Sequence, residues 1–173
     1  MMFSFFIQVG LLAFGIFTDL SYPVVSEIYV DGSKGLKRDP HLGIAYANFV
    51  AHKFSRLDLT PLVSTSVKEI KECGKLCLDH LSCFSFNYAA FRDNMERKIL
   101  CQLLQSDKYS ESNMFAPSPI FHHFSIKTPC SSSPCANNST CVAKYESGDY
   151  QCACAPGYSG RHCEIGISQS NLQ

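Results

Sequence analysis

The sequence predicts a small disulfide-rich α+β protein made of two modules in series. Three observations carry this prediction. All 10 Cys lie beyond an apolar N-terminus and fall into two even blocks, Cys73 to Cys101 and Cys130 to Cys163, so each block is able to close on itself. In the first block, a helical hydrophobic spacing runs directly into a two-residue alternation. In the second, turn-forming residues separate short strand-like runs.

The N-terminus sets the redox compartment. Phe3 to Phe17 is apolar except for Ser4 and Gln8. A run of about 15 residues falls short of the roughly 20 needed to span a bilayer and suits the core of a secretory signal. The segment ahead of it holds no Lys or Arg, so its positive charge is the α-amino group alone. Residues 1–21 are read as an export signal, with cleavage expected between residues 18 and 26. The alternatives are an uncleaved anchor and a buried core helix. No later apolar run spans a bilayer, so no membrane span is expected after signal removal. In an oxidising lumen, Cys at this density form a disulfide framework rather than metal sites. A formal net charge of +0 also removes the basic excess of a nucleic-acid binder.

The second block is the more specific. Its Cys stand at 130, 135, 141, 152, 154 and 163, and it ends Cys152-Ala-Cys154-Ala-Pro-Gly157-Tyr158-Ser-Gly160-Arg-His-Cys163. Ser147-Gly148-Asp149 is turn chemistry between two short strands. About 34 residues cannot bury enough apolar surface to fold unaided, so disulfides take the place of a core. Six Cys allow 15 pairings, and spacing alone does not choose among them. The block resembles an EGF-like domain along its whole length. That resemblance implies Cys130–Cys141, Cys135–Cys152 and Cys154–Cys163.

In the first block, Val67, Ile70, Cys73, Cys77 and Leu81 follow helical spacing. Thr65 or Ser66 is placed to cap a helix over Val67 to Leu81, and Glu69 stands where a capping-box acid would serve Ser66. Cys73 and Cys77 share a helix face. Cys83 to Tyr88 alternates as a strand, and Ile99 to Leu104 is a second strand carrying Cys101. Ile44 to Ala51, Phe121 to Ile126 and Leu57 to Val63 (broken by Pro61) are weaker strand candidates. The pattern C-x3-C-x5-C-x17-C, with Cys83-Phe-Ser-Phe-Asn-Tyr88 and Cys101-Gln-Leu, is similar to the two-disulfide PAN/apple domain. The resemblance implies an antiparallel sheet crossed by one helix, with bridges Cys73–Cys101 and Cys77–Cys83. The expected order is a loose leader (27–43), a PAN/apple module (44–128), an EGF-like β-hairpin module (129–164) and a polar tail (165–173). Each module is expected to fold alone, with the first proteolytic cut between Asp107 and Pro129.

No enzyme is expected. His122 and His123 are adjacent and on a strand point to opposite faces, so they cannot share a metal. His41, His52, His80 and His162 stand alone, and no G-x-S-x-G, H-E-x-x-H or phosphate loop occurs. No cofactor is expected. Nor is calcium expected in the EGF-like module: Ile126-Lys127-Thr128-Pro129 precedes the first Cys, and Ala143 stands where many relatives place Asp or Asn, so the carboxylate oxygens that a hard cation needs are missing. Growth-factor ligands of this type place Arg just before the last Cys and Leu beyond it. Here His162 and Ser168 hold those positions and Arg161 is one place early, which argues against that activity.

Modification and binding candidates remain. Asn137-Asn138-Ser139 and Asn138-Ser139-Thr140 are overlapping N-glycosylation acceptors, with room for one glycan. By resemblance to motifs read on folded EGF-like domains, Ser132 matches an O-glucose site, Thr140 an O-fucose site and Ser159 an O-N-acetylglucosamine site. On an ideal helix, Lys68, Lys71 and Lys75 fall within about a 60° arc of the solvent side, taking 100° per residue. They form a candidate face for a sulfated glycan, although a plain solvated face is the default. The expected function is secreted, non-enzymatic binding of an extracellular protein or carbohydrate, of adhesion or matrix type. The alternatives are a soluble ligand or modulator of a cell-surface receptor, and a piece of a larger extracellular protein.

Overall fold

Strand periodicity in the first module produces a sheet with two different faces. In the computed structural model, residues 3–4, 35–39, 41, 44–93, 95 and 97–167 are described. Apart from the Phe3–Ser4 backbone, the export-signal reading and its cleavage site lie outside the described residues, as do residues 168–173 of the tail. The strands are Phe3–Ser4 (β1), Leu36–Asp39 (β2), Ile44–His52 (β3), Ser55–Leu57 (β4) and Val63–Val67 (β5). A helix, Ile70–Asp79 (α1), follows, and then Ser85–Ala89 (β6), Ile99–Leu104 (β7), Phe115–Pro117 (β8) and Phe121–Ile126 (β9). All pairings are antiparallel, and the main sheet runs β1-β3-β9-β6-β7-β5, with β2 also pairing β3. Helix α1 covers one face. There Cys73, Cys77 and Leu78 pack with Phe49, Val67, Phe86, Leu103 and Ile126. Phe86 meets Phe49 edge-on and stacks on Phe124, each at 5.0 Å between ring centres.

The opposite face is partly polar. Because side chains alternate across a strand, the paired residues His52, His123, Asn87, Gln102 and Ser64 form one transverse row. The small sheet β4–β8 lies over it. Asn87 is fully buried: its Oδ1 accepts from Leu57 N–H (3.1 Å) and its Nδ2 donates to Leu57 C=O (2.9 Å). A buried amide is tolerated only when it is satisfied in this way.

Several expectations need correction. The helix begins at Ile70 rather than Val67, because β5 pairs with β7 as far as Val67↔Ile99. Thr65 and Ser66 therefore lie in a strand and cap nothing. Glu69 is the N-cap residue, and Glu72 accepts from Lys68 N–H at 2.8 Å. Val63 begins β5, and β4 ends at Leu57, so Leu57 to Val63 links two strands rather than forming one. The leader is not loose throughout, since β2 pairs with β3. Arg38 then reaches the C-terminal end of α1, donating to the carbonyls of Leu78 (2.9 Å), Leu81 (3.0 Å), Cys77 (2.8 Å) and Cys83 (2.6 Å). A cation at a helix C-terminus, where carbonyls lack partners, contributes about 0.3–1 kcal/mol, and up to ~2 in partly buried geometries. Gly35 precedes β2 where a Cβ would lie 1.6 Å from Lys127 O, so only glycine fits. Finally, Asp107 to Pro129 is not an exposed approach to the boundary. It contains β9, between β3 and β6, and Asp107 itself is buried.

The second module is a hairpin, Thr140–Lys144 (β10) with Asp149–Ala153 (β11), and a two-residue pair, Tyr158–Ser159 (β12) with Ile165–Gly166 (β13). Gly160, at φ +98°, turns the chain where a Cβ would approach the Glu164 carboxylate. Five disulfides are present: Cys73–Cys101, Cys77–Cys83, Cys130–Cys141, Cys135–Cys152 and Cys154–Cys163.

Candidate interaction surfaces

The two modules meet at Tyr145, in the β10–β11 turn. Its ring stacks on Phe84 at 4.1 Å and 10°, and Arg38 lies 5.8 Å from the centre of the Phe84 ring. The Tyr145 hydroxyl donates to Asp107 Oδ2. Burial first, then the Asp107 charge, holds this phenol far above its ordinary range. Asp107 Oδ1 accepts from the backbone N–H groups of Tyr109 (2.8 Å) and Ser110 (2.9 Å), so the carboxylate also shapes the loop that follows. The leader strand, the start of β6 and the second module's turn thus converge on Phe84.

Beside this joint lies an open cleft of about 510 Å³. One wall is Lys108, Tyr109, Ser112 and Asn113; the other includes Asn138, Ser139 and Thr140. The candidate glycan acceptors differ in freedom. Asn137 and Asn138 are both exposed, but Asn137 Nδ2 donates to Cys163 C=O at 2.8 Å, whereas the Asn138 side chain makes no hydrogen bond among the described residues. Ser132 is exposed and donates to Pro129 C=O at 2.8 Å, while Thr140 and Ser159 are half-exposed.

A second surface is the end of the first sheet where the β3–β4, β6–β7 and β8–β9 connections gather. Ser118 N–H donates to Phe54 C=O (2.8 Å) and Ala90 N–H to Ile120 C=O (2.9 Å), tying the three turns together at their bases. Phe54, Phe91, Met95 and Ile120 stand exposed there, Met95 at 93%. Lys53, Arg92 and Arg97 are exposed on two of the same turns, and the Arg92 guanidinium donates to Lys68 C=O (3.3 Å) and Arg97 C=O (2.9 Å). Phe54 (φ 51°) and Arg97 (φ 54°) both hold left-handed backbone, which is costly for side chains of this bulk and gathers at working sites. Sequence reading missed this surface. Its signal was weak, an isolated Phe91 and Met95 within a charged loop.

The lysine face is less coherent than an ideal helix suggests. Lys68 lies before α1, so the three amines do not share one helical arc. Lys75 pairs with Asp79 at 2.6 Å, and Lys71 is exposed. His122 and His123 do face opposite ways. His122 Nδ1 accepts from Phe54 N–H (2.9 Å). His123 is fully buried, and its Nδ1 meets Asn87 Oδ1 at 3.0 Å. Since that oxygen only accepts, Nδ1 carries the proton, and Nε2 is buried without a partner in the described structure. Burial, then the charges of His52 and Lys108, lowers the His123 pKa to about 3; burial, then Lys108, lowers that of His52 to about 4. His52 Nε2 lies 3.1 Å from Ser125 Oγ. Ser125 is fully buried, so its hydroxyl, like the Asn87 amide, orients an imidazole within the packing. Among the described residues no group of three or more His, Cys, Asp or Glu is arranged to hold a metal, and no helix is long and apolar enough to cross a membrane.

A sheet crossed by one doubly bridged helix, joined to a three-disulfide hairpin, defines a class of two-module extracellular protein. The chain carries a PAN domain, matched by the family model over residues 45–127, followed by an EGF-like domain, matched over 130–162. Relatives resemble it over short segments. Protein delta homolog 1 of Homo sapiens is 63% identical over 35 residues, 20% of this chain and 9% of that protein. Inactive serine protease PAMR1 of Xenopus tropicalis is 48% identical over 50 residues, 29% of this chain and 7% of its own length. Fibropellin-3 of Strongylocentrotus purpuratus is 50% identical over 38 residues, 22% and 6%. The chain thus spans under a tenth of these relatives. No solved structure matches. PAN and EGF-like domains are non-catalytic modules typical of extracellular interaction.

Proposed function

We propose that the protein is a secreted, non-enzymatic adhesion or matrix-type binding protein. In this reading it engages a protein partner through the sheet end bearing Phe54, Phe91, Met95 and Ile120. The supporting observation is that these four apolar side chains stand exposed on turns tied together at their bases, with Lys53, Arg92 and Arg97 exposed on two of the same turns. Aromatic and Met anchors inside a polar rim are the composition of protein interfaces, where a few such residues carry most of the affinity. Calcium has no part in this reading, because Lys127 and Pro129 flank the position where acidic ligands would be needed. A sulfated glycan held by Lys68, Lys71 and Lys75 is the second reading. It is favoured only by the exposure of Lys71 and weakened by the Lys75–Asp79 pair.

Retention of the full chain on decellularised matrix separates the two. Replacing Phe91 and Met95 together by Asp is expected to reduce retention at least about tenfold, since losing one interface anchor typically costs roughly 2 kcal/mol. The Lys68→Gln, Lys71→Gln, Lys75→Gln variant is expected to match wild type. Equal retention of the Asp variant would reject the apolar end, and loss confined to the Gln variant, with early elution from heparin resin, would establish the glycan face instead.

A further inference from the structure

We propose that Asn138, and not Asn137, carries an N-linked glycan whose first sugars lie in the cleft between the two modules. This rests on the extracellular reading above, because N-glycans are added only to exported chains.

The two acceptors overlap in sequence, and the structure distinguishes them. Asn137 and Asn138 both adopt left-handed backbone (φ 53° and 55°), which Asn tolerates better than most residues. The Asn137 amide nitrogen, the atom that would carry the sugar, donates to Cys163 C=O at 2.8 Å and ties its loop to the end of the EGF-like domain. Ser139 supplies the hydroxyl of the Asn137 acceptor, and that hydroxyl is engaged by Ala155 N–H at 3.0 Å. A sugar on Asn137 Nδ2 would crowd the Cys163 contact, and the Ser139 hydroxyl is already committed within the folded loop. Asn138 has no such engagement. Its side chain is exposed, its acceptor hydroxyl belongs to half-exposed Thr140, and neither side chain makes a hydrogen bond among the described residues.

Position then decides what the glycan meets. Asn138 and Thr140 line the cleft of about 510 Å³, whose far wall is Lys108, Tyr109, Ser112 and Asn113 of the PAN domain. Those groups offer an ammonium, which lies 4.9 Å from the centre of the Tyr109 ring, hydroxyls and an amide to sugar hydroxyls. A glycan rooted at Asn138 therefore lies between the two domains. It shields the Lys108–Asn113 loop, which lies roughly 30 residues distant in sequence.

The test uses the full chain secreted from cultured animal cells. Enzymatic release of the glycan in heavy-oxygen water converts the modified Asn to labelled Asp, read by mass spectrometry. Label at 138 and not at 137 is expected. Asn138→Gln is expected to abolish the glycan, and Asn137→Gln to retain it. Hydrogen exchange of the wild-type protein before and after glycan release reads the cleft without any substitution. Amides of 108–113 are expected to exchange faster after release. Label at 137, or a secreted chain with no glycan, would overturn the site assignment and leave the extracellular reading standing. Unchanged exchange at 108–113 would overturn the cleft docking. A chain that stays in the cell, unglycosylated, would overturn both this proposal and the reading it rests on.

Discussion

His123 shows how one residue couples folding to acidity. Its Nδ1–H is committed to Asn87, its Nε2 has no partner in the described structure, and His52 and Lys108 are the charged neighbours that oppose a second proton. Its folded pKa, about 3, lies below the ordinary 6.5. Between those values the unfolded chain takes up a proton that the folded chain refuses. Stability is therefore complete above about pH 6.5 and declines as pH falls towards 3, by up to about 1.4 kcal/mol per pH unit from this group. His52, lowered to about 4, adds in the same direction, but less, because it is only half buried. Thermal melts from pH 7.5 to 4.5 are expected to show a falling midpoint in the wild type and a shallower fall in His123→Gln, which keeps a donor for Asn87 without titrating. Parallel slopes would exclude His123 as the source. The His122-His123 pair was visible in the sequence, as was their opposite facing. The partner of His123 was not, because Asn87 lies 36 residues away and is brought opposite by the β6–β9 register.

At the scale of elements, the β10–β11 turn matters most. Tyr145 joins the two modules through a ring stack and a hydroxyl bond, so they are expected to tumble as one body. Tyr145→Ala removes both contacts and leaves Asp107 bonded to its own loop. Loss of a half-buried aromatic contact is expected to cost about 2 kcal/mol in the joint. In nitrogen-15 relaxation, the EGF-like domain should then acquire a shorter correlation time than the PAN domain. Tyr145→Phe keeps the stack and should show a smaller change. Identical relaxation in wild type and Tyr145→Ala would mean that the joint is held elsewhere. Nothing in the local sequence marked Tyr145, since a Tyr in a hairpin turn is ordinary until Phe84 is found opposite it.

Over the whole molecule, the buried apolar cluster is built mostly from the PAN domain, joined by Leu36 of the leader strand and packed by Tyr145, while the EGF-like domain leans on its bridges. Cys73, Cys77, Cys83 and Cys101 are all fully buried, whereas Cys154 is exposed and Cys135 and Cys152 are half-exposed. Thiol–disulfide exchange requires access to sulfur. Under mild reductant, alkylation tags are expected first on the Cys154–Cys163 and Cys135–Cys152 pairs and last on the two PAN bridges. Tags appearing first on Cys73 or Cys101 would show that the sheet opens before the hairpin.

The two modules, the α+β class and the principal strands and helix are legible in the residues alone. Cys spacing and hydrophobic period are local properties, written over a few residues at a time, and Cys130 to Cys163 needs little more. Local sequence misplaced the helix start because Thr65 and Ser66 suit a cap as well as a strand, and only pairing with β7 chose between them. The rest depends on long-range contacts. The Arg38 carbonyl contacts, the Tyr145 joint, the His52–His123–Asn87 row and the apolar end at Phe54, Phe91 and Ile120 all join residues far apart in the chain. Such contacts depend on strand order and register, which no short window of sequence contains.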